Sequence, residues 1–496
     1  MDLHTSEPCR RAKDFASRPH HLHIGGEWVP AASEETFSSY DPSTGAALST
    51  IAAASETDVD RAVRSAQTAL EGSWHKVSPA QRQRLLWRLS DLLEKHAEEF
   101  AILESLDSGK PLRDARLLDI PGAINSLRYF AGWATKLNGE TVSVSPPGEW
   151  HAYTVREPVG VVGLILPWNA PLMMAAAKLA PALAAGCTVI LKPAEQTPLT
   201  ALRLAELSVE AGFPPGVINV LTGFGVPLGQ AIVDHPGVNK ISFTGSTAVG
   251  KSIIRRAAND LKRITLELGG KSPVIVMPDA DLAKAIPAVA RGIFGNTGQV
   301  CNAGSRLYAH QAVFDQVIEG ILEQAGSLRI GPGLDPETQM GPVVSQAQLE
   351  RVSGYIDAGR KEGATVLRAG TLPQGDGYFV SPTVLADTSH AMTVVREEIF
   401  GPVLCGMRIN DHNELDAIAA QANDSAYGLG AMIWTKDLSV AHKLARRLKA
   451  GTVRINGGGL DPALPFGGFK SSGWGRENGR EGIDAYTELK SVMVAL

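Results

Sequence analysis

The stretch "VGVVGLILPWNAPLMMAAAKLAPALAAGCTVILKP" occupies Val159–Pro193 and decides the fold. It begins and ends with short, nearly continuous apolar runs, and an alanine-rich segment of helical length separates them. Strands that are buried on both faces have this composition, and a helix between two of them is typical of a parallel pair. The stretch therefore predicts a strand–helix–strand unit of an α/β sheet.

Further apolar runs extend this pattern along the chain. "GVINVL", "VNKISFTG" and "SPVIVM" continue the first series, and "SRLYAH", "GYFVSPTVLAD", "GPVLCGMRI", "GAMIWT" and "GTVRIN" form a second series. Two successive α/β domains are the economical interpretation. Two outlying strand-like pieces, Glu140–Glu157 and Ala485–Leu496, belong to neither series and could pair with each other or with another subunit. Helical spacing of leucines over Ala80–Leu106 predicts a surface amphipathic helix.

Composition limits the function. The chain has 496 residues, which is room for two or three domains, and a formal net charge of −5, which argues against a nucleic-acid or anionic-membrane partner. Its 4 cysteines lie far apart without a CxxC pair, as expected in a reducing compartment. The polar beginning "MDLHTSEPCRRAKDF" lacks a signal peptide, so we expect a cytoplasmic protein. The histidines of "PHHLH" have no supporting ligands, and no metal site is expected.

Two glycine-rich turns suggest a phosphate-bearing ligand. "FTGSTAVGKS" (Phe243–Ser252) contains the pattern GxxxxGK[ST], and its Gly245 and Ser246 open a predicted helix whose free N–H groups suit a phosphate. "LTGFGVPLG" contributes Gly225 and Gly229 at a second strand-to-helix turn. Together the two turns favour a dinucleotide crevice, with a phosphate-loop NTPase as a distant alternative.

Three polar residues stand at the ends of apolar strands. Glu195, near Lys192 in "LKPAEQTP", could accept bonds from both ribose hydroxyls and so favour NAD over NADP. Glu267 in "LELGGKSP" would be half-buried with a raised pKa, which suits a general base, although a structural salt bridge explains it equally well. Asn169 in "PWNAP" could donate to an oxyanion or simply cap the next helix.

"GNTGQVCNAGSR" places Cys301 among glycines and small polar residues, without an apolar run to bury it. With this segment the motifs "PWNAP", "LKPAEQTP", "FTGST", "LELGGKSP", "GQVCNAGSR", "EEIFGPV" and "PFGGFKSSGWGRENG" stand in the order found in one family. The chain resembles the NAD(P)-dependent aldehyde dehydrogenase superfamily, and its hydrolytic branch in particular, from about His23 to Leu496.

The resemblance implies an α/β fold with two doubly wound parallel domains and a small β element for oligomerisation. It implies an NAD-binding Rossmann-like domain in residues 1–138 and 158–267, and a catalytic domain with a nucleophilic cysteine in 268–475. Residues 139–157 and 476–496 would supply the oligomerisation strands of a homodimer or homotetramer, between which the sequence does not choose.

Specific roles follow from the same resemblance. Cys301 would attack the aldehyde, the Asn169 amide and the Cys301 N–H would form the oxyanion hole, and Glu267 would activate the water that releases the acid. Lys178 joins the catalytic set. Glu267 also favours free acid over a coenzyme A ester as the product. NAD would be the cofactor, contacted by Leu166, Pro167, Trp168, Lys192, Glu195, Gly225, Gly229, Phe243, Gly245, Ser246, Leu268, Gln348, Glu398 and Phe400.

The predicted substrate pocket departs from the pattern of relatives that act on small aldehydes. Ala170, Ala177 and Gly295 stand where such relatives often carry aromatic rings. A widened tunnel predicts a bulky apolar aldehyde (aromatic, terpenoid or polycyclic) as the substrate. The remaining walls would come from Met173, Met174, Val300, Asn302, Leu460 and Phe466.

Other functions remain open at this point. An aminoaldehyde or betaine-aldehyde dehydrogenase would need acids or an aromatic cage for its cation, and only Asp461 and Glu149 are candidate acids. A non-catalytic protein of this fold would have no need of the nucleophile, the base and the oxyanion donor together.

Overall fold

The computed structural model describes residues 6–410, 414–459 and 461–496. Leu460, one of the predicted substrate walls, lies outside this part of the chain. Within the described ranges the strands are β1 Leu22–Ile24, β2 Glu27–Val29, β3 Thr36–Tyr40, β4 Ala47–Ala52, β5 Thr141–Val142, β6 Trp150–Pro158, β7 Val161–Ile165, β8 Thr188–Lys192, β9 Ile218–Val220, β10 Lys240–Thr244, β11 Arg263–Glu267, β12 Pro273–Val276, β13 Arg306–His310, β14 Thr365–Arg368, β15 Thr383–Ala386, β16 Val403–Ile409, β17 Gly430–Trp434, β18 Thr452–Ile455, β19 Gly473–Trp474 and β20 Thr487–Ala495.

Helices connect and cover these strands. The α-helices are α1 Glu7–Ser17, α2 Glu56–Glu71, α3 Pro79–Lys95, α4 Ala97–Ser108, α5 Leu112–Asp114, α6 Ile120–Ala131, α7 Pro171–Ala185, α8 Leu199–Ala211, α9 Gln230–Asp234, α10 Thr247–Ala257, α11 Leu282–Phe294, α12 Gln311–Gly326, α13 Gln346–Lys361, α14 Thr393–Arg396, α15 Leu415–Asn423, α16 Leu438–Arg447 and α17 Gly479–Asp484. Short π-helical turns lie at Ala115–Asp119 and Gly225–Gly229, and 3₁₀ turns at Ala258–Asp260, Gly295–Gly298 and Lys470–Ser472. No helix of the described chain has the length and apolar character needed to cross a membrane.

The first large sheet has the order β19-β11-β10-β7-β8-β9-β1-β2. Its central strands, from β11 to β9, are parallel to one another, while β1, β2 and β19 run antiparallel at the two edges. The alternation of side chains sends Val162 and Leu164 into the core on one face, and Val161 and Ile165 into the core on the other. The near-continuous apolar composition of this strand therefore reflects helices packed on both sides of the sheet.

The second large sheet has the order β14-β15-β16-β13-β12-β17-β18 and is parallel apart from the β14–β15 pair. It contains the predicted second series of strands, and also β12 ("SPVIVM"), which the sequence analysis wrongly placed in the first series. Both its faces are covered by helices. Ile275 packs into one core, and its neighbours Val274 and Val276 pack into the other. The predicted α/β fold with two doubly wound sheets is confirmed. β19, which lies in the range assigned from sequence to the second domain, joins the first sheet beside β11.

The two outlying pieces pair with each other. β6 and β20 run antiparallel from Thr487 opposite Pro158 to Ala495 opposite Trp150, and β5 completes a three-stranded sheet in the order β20-β6-β5. β20 is therefore an edge strand. Leu489 is 58% exposed and Met493 51%, so this edge carries unburied apolar side chains.

The predicted surface helix over Ala80–Leu106 is wrong in part. The structure has two helices, α3 and α4, with His96 between them. α3 is amphipathic as expected, but α4 is buried along nearly its whole length. Two of its glutamates are buried: Glu99 lies between Arg11 and Arg203, and Glu104 lies beside Lys110.

Candidate active site

The carboxyl ends of four neighbouring parallel strands bring the predicted residues to one edge of the first sheet. Lys192 ends β8 and Glu267 ends β11, while Asn169 follows β7 and Gly245 follows β10 by one residue. Because parallel strands end at the same edge, these residues surround one crevice. This is the place where open α/β sheets bind their ligands.

The cysteine lies on a tightly held loop after α11. Asn296, Thr297 and Gly298 all have positive φ angles (47°, 55° and 72°). The loop is anchored on both sides, since Thr297 Oγ1 donates to the Gly341 carbonyl at 2.8 Å and the Val344 N–H donates to Gln299 Oε1 at 2.9 Å. Contacts with the 341–344 segment therefore offset the cost of this backbone conformation.

Cys301 is partly exposed, whereas Cys9, Cys187 and Cys405 are buried. Desolvation by the surrounding protein, together with the nearby carboxylates of Glu398 and Glu267, raises the pKa of its thiol to about 12. The thiol is thus protonated at neutral pH in the resting protein. Water or another base has to take this proton before the sulfur can act as a thiolate.

Asn169 is bonded to the cysteine loop. Its Nδ2 donates to the Gln299 carbonyl at 2.8 Å, and Asn296 Nδ2 donates to the Asn169 carbonyl at 2.9 Å. Ala170, not Asn169, occupies the N-cap position of α7, so the capping interpretation of Asn169 is wrong. An amide nitrogen carries two protons, and one of them is free to face an oxyanion beside Cys301.

A pair of glycines allows the cysteine loop to approach Glu398. A Cβ on Gly270 would lie 2.3 Å from the Cys301 carbonyl oxygen, and a Cβ on Gly269 would lie 2.3 Å from Glu398 Oε2. The Gly270 N–H donates to Glu398 Oε1 at 2.8 Å. Any side chain at either glycine would therefore push apart the two segments that meet here.

Glu267 is fully buried, not half-buried as the sequence suggested. It is 2% exposed, and neither carboxylate oxygen has a hydrogen-bond partner within the described chain. Burial raises its pKa well above the usual value, and the neighbouring Glu477 raises the pKa further, while Lys178 and Arg476 act in the opposite direction. The structural salt bridge that the sequence left open is not formed. Glu267 is instead a buried carboxyl group that holds its proton tightly.

Lys178 is paired away from the thiol. Its Nζ donates to Glu477 and, at 3.0 Å, to Ser242 Oγ, and the lysine is fully buried on α7. Glu477 also lies near Glu267, so Lys178 influences the site through this carboxylate. The sequence analysis did not single out Glu477, although it stands in the quoted motif "GWGRENG".

On the predicted cofactor side, the structure brings several residues into contact. Lys192 Nζ donates to the Pro193 carbonyl at 3.0 Å and lies 3.7 Å from Glu195 Oε2. A Cβ on Gly229 would pass 3.7 Å from the Lys192 side chain, whereas a Cβ on Gly225 would meet open space. The Leu166 N–H donates to the Lys192 carbonyl at 2.9 Å. Leu268 lies against Gly250.

The GxxxxGK[ST] segment does not form a phosphate loop. α10 begins at Thr247, and the Gly250 N–H donates to the Ser246 carbonyl at 3.0 Å, so Gly250 and Lys251 lie inside the helix. Ser246 is the N-cap, and its Oγ accepts the Val249 N–H at 3.3 Å. Nearby, Thr244 has a buried hydroxyl without a partner in the described chain. The helix start and this hydroxyl fit a pyrophosphate, but the NTPase alternative loses its motif.

A second group of predicted residues closes the crevice from the other sheet. The rings of Trp168 and Phe400 meet edge to face with centroids 5.2 Å apart. Gln348 Nε2 donates to the Phe400 carbonyl at 2.7 Å and so holds that residue at its positive φ of 61°. Pro167 precedes Trp168 in the same turn, and Phe243 lies under Gly245, whose Cβ would be 2.4 Å from the ring.

The predicted substrate residues lie mainly on and around α7. Ala170 and Ala177 are buried, and Met173 and Met174 are half-buried. A Cβ on Gly122 of α6 would lie 2.9 Å from Met173 Sδ, so α6 borders the same space, which the sequence analysis missed. Gly295, Val300 and Phe466 are half-buried. The Asn302 side chain faces Gly430 on β17.

The two candidate acids do not form a cation site in the described structure. Asp461 Oδ1 accepts the Ala463 N–H at 2.8 Å within its own exposed turn. Glu149 is exposed beside the three-stranded sheet, where its carbonyl accepts the Leu496 N–H at 3.0 Å. Neither carboxylate is placed on α7 or the cysteine loop.

Comparison with known proteins agrees with this geometry. Residues 28–492 match the aldehyde dehydrogenase family. The chain is 47% identical to the phenylacetaldehyde dehydrogenase of Pseudomonas fluorescens over 98% of its own length and 97% of that protein. The indole-3-acetaldehyde dehydrogenase AldA of P. syringae, solved in complex with NAD⁺ and IAA, is 42% identical with a TM-score of 0.95, and 99% of each chain is covered.

An NAD⁺ complex of an aldehyde dehydrogenase from Bacillus cereus is 46% identical, with a TM-score of 0.95 and 98% of each chain covered. Its cofactor fits the crevice built here from helix starts, a buried hydroxyl and a lysine–glutamate pair. The chain therefore belongs to the aldehyde dehydrogenase family, and it is an NAD-dependent enzyme that oxidises aldehydes.

Proposed function

We propose that the enzyme oxidises a bulky, mainly apolar aldehyde to the free carboxylic acid through a covalent adduct on Cys301. The observation that carries the substrate class is the pair of small buried residues, Ala170 and Ala177, on the helix that follows Asn169. Large rings at these positions would fill the space beside the cysteine loop. The aromatic aldehydes in the names of two similar proteins support this choice.

In the first step the sulfur of Cys301 adds to the aldehyde carbon, and the thiol proton passes to water in the crevice. Negative charge then develops on the carbonyl oxygen, and the Asn169 Nδ2–H and the Cys301 N–H are the proposed donors to it. The bond from Asn169 to the Gln299 carbonyl fixes the amide beside the cysteine loop, which spares the reorganisation that a mobile donor would need.

NAD, when bound, would supply the hydride acceptor needed to oxidise the adduct to a thioester on Cys301. The proposed cofactor contacts of this chain hold it against the crevice: Lys192 and Glu195 at the ribose, the α10 start with Ser246 at the pyrophosphate, and Glu398 with Phe400 at the nicotinamide end. Glu267 then takes a proton from water, whose oxygen attacks the thioester and releases the acid. Its burial makes the carboxylate a strong base once it has lost its own proton.

The experiment measures NADH formation by absorbance with purified protein and a size-graded panel of aldehydes, beside Cys301→Ala. We expect the highest kcat/KM with large apolar aldehydes and no turnover in the variant. Equal or better activity on acetaldehyde would contradict the proposed substrate class. An active Cys301→Ala enzyme would contradict the proposed nucleophile.

We also propose that the enzyme is a cytoplasmic homo-oligomer, a dimer or a tetramer. Support for assembly comes from β20, an edge strand with exposed apolar side chains, because such an edge is normally covered. Support for the location comes from the separated free cysteines. Light scattering gives the oligomeric state, and fractionation of cells gives the location.

A further inference from the structure

Arg454 stands out because it is a half-buried charged residue in the middle of a strand at the edge of the second sheet. It lies on β18, opposite Met432 of β17. Its neighbours Val453 and Ile455 pack into the core on one face of the sheet, so alternation places Arg454 on the other face. Met432 shares that face and packs against the core cluster that contains Phe294 and Ala303, which flank the cysteine loop in sequence.

The guanidinium of Arg454 has no counterpart in the described chain. It is half-buried, yet none of the described residues forms an ion pair, a hydrogen bond or a ring contact with it. Arg306 is a buried arginine with partners: its guanidinium donates to the carbonyls of Lys271 and Ala422 and to the Tyr308 hydroxyl. A half-buried cation without such partners is positioned to receive an acceptor from outside.

The segment after β18 leaves the guanidinium accessible. Asn456 locks the strand end, since its side chain accepts the Thr435 N–H at 3.0 Å and donates to the Thr435 carbonyl at 2.8 Å. Gly457 and Gly458 follow with φ angles of 121° and 123°, and a Cβ on Gly458 would lie 3.7 Å from the Arg454 stem. The glycines thus run past the apolar stem.

Arg454 is also electrostatically coupled to the nucleophile. Burial lowers the pKa of its guanidinium, and the negative charge of a Cys301 thiolate raises it. The arginine therefore lies within the reach of charge interactions across the crevice. A positive charge in this position attracts anionic molecules toward Cys301 and repels cationic ones.

We propose that Arg454 is a specificity-determining residue that binds a carboxylate on the aldehyde substrate. The enzyme would then act on aldehydes with a bulky apolar body and an anionic group remote from the aldehyde carbon. This inference rests on the proposed function, which supplies the apolar body and the position of the aldehyde at Cys301. A guanidinium binds a carboxylate through two parallel hydrogen bonds, which a lysine reproduces only as a point charge. Aminoaldehydes are disfavoured by the same charge.

The first test compares 4-carboxybenzaldehyde with its neutral carboxamide, which has nearly the same size. We expect the wild-type kcat/KM to favour the acid by about tenfold or more, and Arg454→Met to reduce the ratio to about one. Arg454→Lys should keep part of the preference. Arg368→Met serves as the matched control, because Arg368 is an exposed arginine on β14 of the same sheet, and it should leave the ratio unchanged.

The second test needs no dehydrogenase activity. Iodoacetate and iodoacetamide alkylate the same thiol but differ in charge, so the ratio of their rates at Cys301 reports the local field. We expect Arg454→Met to lower the iodoacetate-to-iodoacetamide ratio by about tenfold, with Arg368→Met as the control. Mass spectrometry identifies the modified cysteine.

The outcomes separate the two proposals. If both ratios are unchanged in Arg454→Met while neutral aldehydes are oxidised normally, the role of Arg454 is overturned and the proposed function stands. If the wild-type protein oxidises no bulky aldehyde, the proposed function fails, and the alkylation ratio alone decides whether Arg454 acts on anions at Cys301.

Discussion

Burial disfavours the charged forms of both Glu267 and Cys301. Each group has a raised pKa, and each carboxylate or thiolate charge makes the other harder to form. A carboxylate charge on Glu267 raises the pKa of the Cys301 thiol, so the loss of the first proton opposes the loss of the second. The resting site therefore keeps both protons. It becomes reactive only when substrate and cofactor replace the missing hydrogen-bond partners.

Glu267→Gln should stabilise the resting protein. In the unfolded chain the carboxyl group loses its proton above about pH 4.5, whereas the folded protein holds it, so the free energy of unfolding of the wild type falls as the pH rises. The uncharged amide escapes this cost. We expect the variant to exceed the wild type by about 1–3 kcal/mol at pH 7, with the difference shrinking toward pH 4.5. Urea unfolding at several pH values measures it, and a pH-independent difference would contradict the explanation.

The same variant should lose hydrolysis and keep acylation. Without a base for water, a mixture of Glu267→Gln, NAD and aldehyde should produce about one NADH per active site and then slow at least a hundredfold. Mass spectrometry of the intact protein should show the acyl group on Cys301. Steady turnover at the wild-type rate would rule out Glu267 as the base.

Sequence reasoning at the scale of residues succeeded where a residue ends a strand. Lys192, Glu267 and Asn169 were each predicted at the end of an apolar strand, and the structure brings these strand ends to one edge of the first sheet. It failed for partners that are distant in sequence. Glu477 is 299 positions from Lys178, and no local pattern joins them. Arg454 lies in "GTVRIN", which has the composition of an ordinary strand. The sequence does not show that its guanidinium lacks a partner in the described chain.

At the scale of elements, the junction between the β11 end and the cysteine loop has no spare room. Gly270→Ala would place a Cβ 2.3 Å from the Cys301 carbonyl, so the loop must move. We expect kcat/KM to fall by about a hundredfold or more, since small displacements of a nucleophile are costly. Gly292→Ala is the control: Gly292 lies in α11, where an added Cβ meets nothing within 4 Å.

The control variant Gly292→Ala should have a higher free energy of unfolding than the wild type. An alanine in place of a glycine inside a helix adds about 0.5–1 kcal/mol to the free energy of unfolding, and we expect Gly292→Ala to do so with normal kinetics. Thermal unfolding and steady-state rates of both variants give the comparison. A fully active Gly270→Ala enzyme would show that the loop has more freedom than these contacts suggest.

The helices show why a sequence pattern can misplace an element. The charges of Glu99 and Glu104 make α4 look like the outward face of a surface helix. Both residues are buried, and each meets a cation from another part of the chain: Arg11 and Arg203 for the first, Lys110 for the second. A pattern of charged residues indicates a solvent-exposed face only when the fold places no oppositely charged residue beside them. A single sequence does not show where such a partner will lie.

At the scale of the whole molecule, the edge strand β20 makes assembly testable. Leu489 and Met493 are exposed and separated by four positions, so they lie on the same face of the strand. We expect the double variant Leu489→Lys and Met493→Lys to reduce the molar mass in light scattering to that of a smaller assembly. Leu438→Lys is the control, since Leu438 is equally exposed but lies on α16. An unchanged mass in the double variant would place the interface elsewhere.

The pairing of Lys178 with Glu477 also has a consequence for the order in which the enzyme matures. α7 carries the proposed walls of the substrate space, and its buried lysine is neutralised by a residue made much later in synthesis. A growing chain that has not reached Glu477 holds an uncompensated cation in the core and lacks β19 beside β11. The Lys178–Glu477 pair and the first sheet are therefore complete only after this late segment has been synthesised.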